Sequence, residues 1–304
     1  MSIVIVGSVA VDTIETPKGR VERALGGSAT YSSLVASRFC PVSLVGVVGE
    51  DFSELHRSVL ESRKIDLRGL ETVPGGKTFF WHGRYGSDPN ERETLVTELN
   101  VFEKFRPVLP ESCRSTRYLF LGNIDPELQH SVLDQVGDGV FVGCDTMNLW
   151  IANKRESLAA LLGRIDILFV NDGEAAQLTG ESNAICAARA ILAMGPYAVV
   201  IKKGEHGAML MTETFRFVTP AFPLENVLDP TGAGDSFAGG FMGCLAAAGD
   251  TGESTLKRAM MFGTVSASFT CEDFSVAGLA NLEYRDIRRR FDEFALMTAV
   301  GGEF

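Results

Sequence analysis

The sequence has no apolar run long enough to cross a bilayer, no C-x-x-C pair, only two tryptophans and four histidines, and too little base to balance its acid, leaving a formal charge of -11 over 304 residues. Each shortage removes a class of function. Without a membrane-length run no bilayer span is expected. The stretch Met1-Ser-Ile-Val-Ile-Val-Gly7 is apolar but lacks the basic segment that opens a signal peptide, and it reads as a first strand. Six cysteines, at 40, 113, 144, 186, 244 and 271, stand far apart and mostly among apolar neighbours. That spacing argues against a disulfide framework or a zinc site and for a reducing, cytoplasmic setting. The acidic balance argues against nucleic acid or an anionic membrane as partner, although helix ends, a few lysines and Mg2+ can still build a local site for a nucleotide.

What is present is a recurring alternation of short apolar runs with helix-length segments. Ile3–Val6 ends in Gly7-Ser8; Tyr31, Leu34, Val35 and Phe39 recur at helical spacing; residues 42–48 read as a second buried strand and 52–63 as a helix with Leu55, Val59 and Leu60 inward. From residue 117 the rhythm is regular. Strands at 118–121, 140–143, 167–170 and 198–201 end in Gly122-Asn123, Asp145, Asn171 and Lys202-Lys203-Gly204, with helices near 127–136, 153–163, 173–179 and 183–194. Such alternation predicts parallel βαβ units with helices on both sheet faces, and ligands beyond the carboxyl ends of the strands, where these polar residues gather. Helices at about 254–269 and from Tyr284 through Phe294 follow, and Gly301-Gly302 reads as a frayed tail.

Two stretches break the rhythm. Residues 16–23 are polar, with Pro17 and Gly19, and read as a hairpin-like excursion. Residues 77–85 alternate, with Phe79, Trp81 and Tyr85 on one face and Phe80, His82 and Arg84 on the other, and weaker alternation returns at 93–101. Segments of about 13–25 and 72–102 are therefore expected to form a small β lid inserted into one domain spanning 1–304, too small to stand alone. The aromatic face can pack on the core, cover a substrate or pair with a second subunit. His82, a lone strand histidine, reads as a packed or surface side chain before a catalytic one.

The chemistry concentrates in Asp229-Pro-Thr-Gly-Ala-Gly-Asp-Ser-Phe-Ala-Gly-Gly-Phe241. Pro230 cannot continue a strand interior, and Gly232 and Gly234 flank Ala233, so the backbone can turn tightly and bring its N–H groups close to a ligand. A helix-length apolar run follows from Phe237 to Ala248, and a helix N-terminus behind a glycine turn presents unpaired N–H groups and a positive dipole end to an anion such as phosphate. Asp235 stands at that point. In isolation it reads as an N-cap, but a carboxylate among groups that hold an anion is a conflict unless it takes a proton from the nucleophile attacking that anion. A Rossmann fingerprint fails because Phe237 stands where the third glycine is required, and a P-loop fails because Gly240 stands where lysine is required. Gly26-Gly27, just before a helix start, reads equally as a loop of convenience or a ligand contact.

Taken together, Asp229 to Gly240, Gly26-Gly27 ahead of a helix, Asn171-Asp-Gly-Glu174 and Lys202-Lys-Gly-Glu-His-Gly207 resemble, in the right order and over essentially the whole length, the ribokinase-like (PfkB) carbohydrate kinases, which include nucleoside kinases. The resemblance implies an α/β fold, a three-layer αβα sandwich with a mostly parallel central sheet plus a small antiparallel β lid. It implies an ATP-dependent phosphotransferase acting on a hydroxyl of a small sugar or polyol. Backbone N–H groups of Gly232, Ala233, Gly234 and Asp235 would form an anion hole, with Asp235 as base. Asn171 and Glu174 would hold Mg2+ through water. Lys202, Gly204 and Gly207 would lie along ATP, and Asp12, Gly26, Gly27, Tyr31 and Asn123 would hold the substrate. Asp229 and Thr231 match a monovalent-cation site, for K+, of some members.

An aspartate of ordinary pKa suffices for this chemistry, because the hydroxyl becomes acidic only as it bonds to phosphorus. The lid would exclude water, and its aromatic face is also the surface open to a homodimer. One departure bears on the substrate. Many sugar kinases of the family carry asparagine four residues after the glycine pair, whereas this chain has Tyr31, which can stack on a ring or hydrogen-bond. With Phe79, Trp81 and Tyr85 it supports the alternative of an adenosine- or cytidine-type nucleoside. A third reading, a non-catalytic nucleotide or metabolite sensor, is opposed by intact Asp235, Asn171 and Glu174. Asp145 and Asn148 stand at a strand end where members often contact ligand, and read equally as a structural turn.

Overall fold

The computed structural model describes residues 1–299, so Gly301 and Gly302 lie outside the described residues. Its strands are β1 (Ile3–Val6), β2 (Ala10–Thr16), β3 (Gly19–Gly26), β4 (Val42–Gly49), β5 (Asp66–Val73), β6 (Phe79–Tyr85), β7 (Arg92–Glu98), β8 (Tyr118–Leu121), β9 (Phe141–Asp145), β10 (Ile167–Asn171), β11 (Ala198–Lys202), β12 (Ala208–Thr212) and β13 (Arg216–Thr219). Nine of them form one sheet in the order β13-β12-β11-β10-β9-β8-β1-β4-β5. From β11 to β5 every pairing is parallel, and the β12–β13 hairpin adds antiparallel strands at one edge.

The central strands are continuous apolar runs because both of their faces are buried. Ile3, Ile5, Phe120, Phe169 and Val200 point into one core with the helices Ser28–Ala36, Ala233–Ala248, Glu253–Cys271 and Tyr284–Thr298. Val4, Val6, Leu119, Leu121, Leu168 and Val170 point into the other with Pro126–Leu133, Arg155–Leu162, Asp172–Thr179 and Ala184–Leu192. The period-two alternation of a strand thus divides one sheet between two cores, giving the three-layer αβα sandwich. The helix expected at 153–163 is Arg155–Leu162, and a short helix the pattern does not show, Asn148–Asn153, precedes it across Lys154.

The helix Ala233–Ala248 is buried almost along its length, and glycines let it approach its neighbours. A Cβ on Gly239 would lie 2.5 Å from the Ser32 carbonyl oxygen and 2.8 Å from the Ser32 Cα. On the adjacent face, a Cβ on Gly240 would meet Ser266 Oγ at 2.5 Å. Backbone cannot move aside as a flexible side chain can, so Gly239→Ala is expected to push two helices apart and destabilise the fold by about 1–3 kcal/mol. Urea unfolding checks this, and an unchanged midpoint would show the helices free to separate.

Two excursions from the main sheet, one carrying β2 and β3 and the other β6 and β7, build the second sheet in the order β3-β2-β6-β7. Its outer pairs are antiparallel and its central pair, β2 with β6, is parallel. Asp12 lies beside Trp81 in that register. Glu15 gathers His82 Nε2 at 3.0 Å, Arg84 Nε at 2.8 Å and Arg20 at 3.2 Å, which gives His82 a structural partner outside the cleft. Phe79 stacks on Phe102 at 5.3 Å and so anchors the small sheet to the turn that follows it.

Candidate active site

The helix Ala233–Ala248 starts behind Gly232, whose φ of 77° and ψ of 2° are left-handed. This turn aims the first-turn N–H groups and the positive helix end into a cleft of about 940 Å3. Asp235 is the acid of that first turn and lines the cleft with Gly232, Ala233 and Gly234. Its side chain caps no N–H, so the N-cap reading does not describe it. Burial, and next the nearby Asp145, push its carboxyl up to about 7 against the opposing pull of Lys202 and Arg92. An ordinary pKa would suffice for the chemistry, and the shift moves the carboxyl toward the working pH of a general base.

Lys202 ends β11 and projects over the same turn, its Nζ 3.0 Å from where a Gly234 side chain would begin. It pairs with Asp145 Oδ2 at 2.8 Å, and Asp145 is 5% exposed. Burial works against the ammonium, but Asp145, Glu174 and Asp235 together hold it above its usual range. Asp145 is thus a member of the site and not a turn residue alone; Asn148 lines the cleft as well. Asn171 and Glu174 form a capping box, with Asn171 Oδ1 accepting from Glu174 N at 2.7 Å and Glu174 Oε2 accepting from Asn171 N at 2.8 Å. Burial lifts Glu174 to about 7, with Lys202 opposing. Gly204 and Gly207 flank the short turn after β11; Asn90 of the small sheet lies over Gly204, and Gly207 lies under the Thr219 carbonyl. Asn123 lines the cleft and accepts from Trp150 Nε1 at 2.9 Å.

Of the residues expected around a substrate, Asn123 lines the cleft, whereas Asp12, Gly26, Gly27 and Tyr31 do not line it and lie where β2 and β3 meet the helix Ser28–Ala36. Asp12, 4% exposed, lies directly over Gly26, in space a side chain there would fill. Burial, then Asp229 and Asp235, raise its carboxyl to about 8. Gly27 starts the helix Ser28–Ala36. Tyr31 is 1% exposed, and its ring lies flat under Gly232, so it supports the turn from below. Its hydroxyl has no hydrogen-bond partner among the described residues. Asp229 is fully buried, its two oxygens accepting from Thr231 N and Ser275 N, each at 2.8 Å. Thr231 Oγ1 donates to the Tyr85 hydroxyl at 3.1 Å, which ties the end of β6 to the glycine turn.

Three contributors escape a local reading of the sequence: the Lys202–Asp145 pair, the Tyr85–Thr231 bond, and Arg92, which lines the cleft from the start of β7. Parity on β6 places Tyr85 on the inner face, but nothing in the sequence pairs it with Thr231. No helix among the described residues is long and apolar enough to cross a membrane.

The family model of pfkB family carbohydrate kinases matches residues 1–281. A cytidine kinase of Thermococcus kodakarensis is 32% identical over 248 residues, covering 80% of this chain and 87% of that protein. A deoxyribokinase of Salmonella typhi is 32% identical over 290 residues, covering 88% and 93%. The crystal structure of a Methanocaldococcus jannaschii nucleoside kinase of the ribokinase family shares the fold, with a TM-score of 0.77 at 20% identity over 96% of this chain and 98% of that one. With the glycine turn, Asp235 and the Asn171–Glu174 pair all opening onto one cleft, the chain belongs to the pfkB family of carbohydrate kinases and is an ATP-dependent kinase.

Proposed function

We propose that this kinase transfers the γ-phosphoryl group of ATP to a hydroxyl of a pentose ring, with Asp235 as the base. The observation that carries the reading is the position of Asp235, in the first turn of a buried helix whose left-handed start at Gly232 opens its N–H groups onto the cleft. Phosphoryl transfer asks for positioning and charge neutralisation more than covalent help. The N–H groups of Gly232 to Asp235 receive the oxyanion, Lys202 adds a positive charge beside Gly234, and Asp235 accepts the proton of the attacking hydroxyl. A pentose is what the two curated relatives share by name, cytidine carrying ribose and the deoxyribokinase acting on deoxyribose. Asp12, buried and offering a carboxyl without a side-chain partner among the described residues, suits a sugar hydroxyl. The nucleoside form of the acceptor is supported by the cytidine kinase among those relatives.

The acids present suit Mg2+. Glu174 keeps one carboxylate oxygen free of the capping box, Asp145 one free of Lys202, and both face the cleft. No group of three or more potential ligands occurs among the described residues, so the ion would be shared with phosphate and water. When bound it neutralises phosphate charge. Asp229 suits K+, since its buried carboxylate accepts from two backbone N–H groups and pairs with no cationic side chain among the described residues. A coupled assay with ATP, over a panel of free pentoses and nucleosides, tests all of this. Turnover is expected with a pentose-bearing acceptor, abolished by EDTA and raised severalfold by K+. Activity confined to hexoses removes the acceptor reading, and indifference to K+ removes Asp229 from a cation site.

A further inference from the structure

Two cationic side chains line the cleft among the described residues, Lys202 and Arg92. Lys202 is engaged with Asp145. Arg92 makes no ion pair with any described residue; its guanidinium lies over the Trp81 ring, 5.6 Å from the centroid. This is unexpected beside so many acids, since Asp145, Glu174, Glu205 and Asp235 all line the same cleft. A guanidinium is a planar fork of donors that an oxyanion satisfies two at a time, and one stacked on an aromatic ring keeps that fork open.

The strand carrying Arg92 is tied to both halves of the cleft. Arg92 is the cross-strand partner of Tyr85, and the Tyr85 hydroxyl accepts from Thr231, just ahead of the helix start. In the turn between β6 and β7, Asn90 Nδ2 donates to Glu205 Oε2 at 2.6 Å, reaching the turn after β11. The field of Arg92 is felt at Asp12, Glu174 and Asp235, which places it among the substrate, metal and base positions.

We propose that Arg92 is a catalytic residue delivered by the small sheet, its guanidinium binding the non-bridging oxygens of the transferring phosphoryl group. The inference rests on the kinase reading of the site. In the transfer, the bond from the acceptor oxygen to phosphorus forms as the bond from phosphorus to the bridging oxygen of ADP breaks, and the acceptor proton passes to Asp235. Arg92 takes no part in the proton transfer and offsets the charge held on the transferring group. Because it rides on the small sheet, the site is complete only when that sheet is closed, which disfavours transfer to water.

The test compares the wild-type chain with Arg92→Met and Arg92→Lys, using calorimetric titration with a non-hydrolysable ATP analogue and with ADP, both with Mg2+, alongside turnover. Arg92→Met is expected to weaken the ATP analogue about tenfold while ADP affinity stays within about twofold, and to lower kcat by about 10^2 to 10^3. Arg92→Lys should fall between. The side chain is exposed, so melting curves are expected to match the wild type and show that the variants fold. Equal weakening of both nucleotides, or unchanged turnover, overturns the proposal. So does a selective loss of affinity for ribose 5-phosphate with nucleotide binding unchanged, for Arg92 would then read a phosphate on the acceptor. A wild-type chain that phosphorylates no acceptor sinks the kinase reading itself, whereas an active wild type matched by Arg92→Met sinks only the role of Arg92.

Discussion

Replacing Asp235 by asparagine is expected to lower kcat by about a hundred- to ten-thousandfold while nucleotide affinity changes little. Asparagine keeps the shape and the backbone N–H, so the helix start and its N–H groups stay in place, and only the proposed proton acceptor is lost. The pH profile gives a second readout. The working form of the base is the carboxylate, and burial with Asp145 nearby raises its pKa to about 7. Wild-type kcat/KM should therefore be level above that pH and fall about tenfold per unit below it, as the carboxylate takes up a proton. Asp145, Glu174, Lys202 and Arg92 face the same carboxylate, and a metal ion bound near Glu174 would draw the limb to lower pH. In Asp235→Asn this limb should vanish from the residual rate. Wild-type turnover in that variant, or an acid limb that survives in it, would remove Asp235 from the proton transfer.

The sequence makes some of this legible and hides the rest for physical reasons. Strands β1 and β8 match their apolar runs to the residue, because a strand buried on both faces has no polar positions to blur its ends. Strand β5 escapes notice. It is the sheet's edge, with only Leu70 buried among Asp66, Arg68 and Glu71, so neither a continuous run nor a clean alternation is left. The sequence of β12, Ala-Met-Leu-Met-Thr, is wholly buried but lacks β-branched enrichment, and its shortness gives no period to read. The same division holds in the site. Asp235 and its glycine turn are contiguous, so local chemistry exposes them. The Lys202–Asp145 pair joins residues 57 apart in sequence and the Tyr85–Thr231 bond residues 146 apart, and no local rule carries such separations. Tyr31 shows the opposite failure: its place after the glycine pair points to substrate, whereas packing sets its ring beneath the anion-binding turn.

That position of Tyr31 makes Gly232→Ala a disruptive single-methyl change at the helix start. Two costs add. A non-glycine residue at a φ of 77° is strained by about 1–2 kcal/mol. The new Cβ would also stand 2.5 Å from three atoms of the Tyr31 ring, and that ring, 1% exposed, has no solvent to retreat into. Either the ring or the turn must shift, and the turn is the softer of the two because it borders the cleft. A displaced turn re-aims the N–H groups proposed to receive the phosphoryl oxyanion, and losing one such donor elsewhere costs about 10^2 to 10^3 in rate. Gly232→Ala is therefore expected to lower kcat by about that factor with a smaller rise in the KM for ATP. A second substitution separates the two causes. Tyr31→Ala in the same chain removes the collision but leaves the dihedral strain, so the double variant should recover part of the lost rate relative to Gly232→Ala. Recovery to the level of Tyr31→Ala alone would assign the whole effect to the ring. No recovery would assign it to the backbone, and a fully active Gly232→Ala would show that this turn does not hold the transferring group.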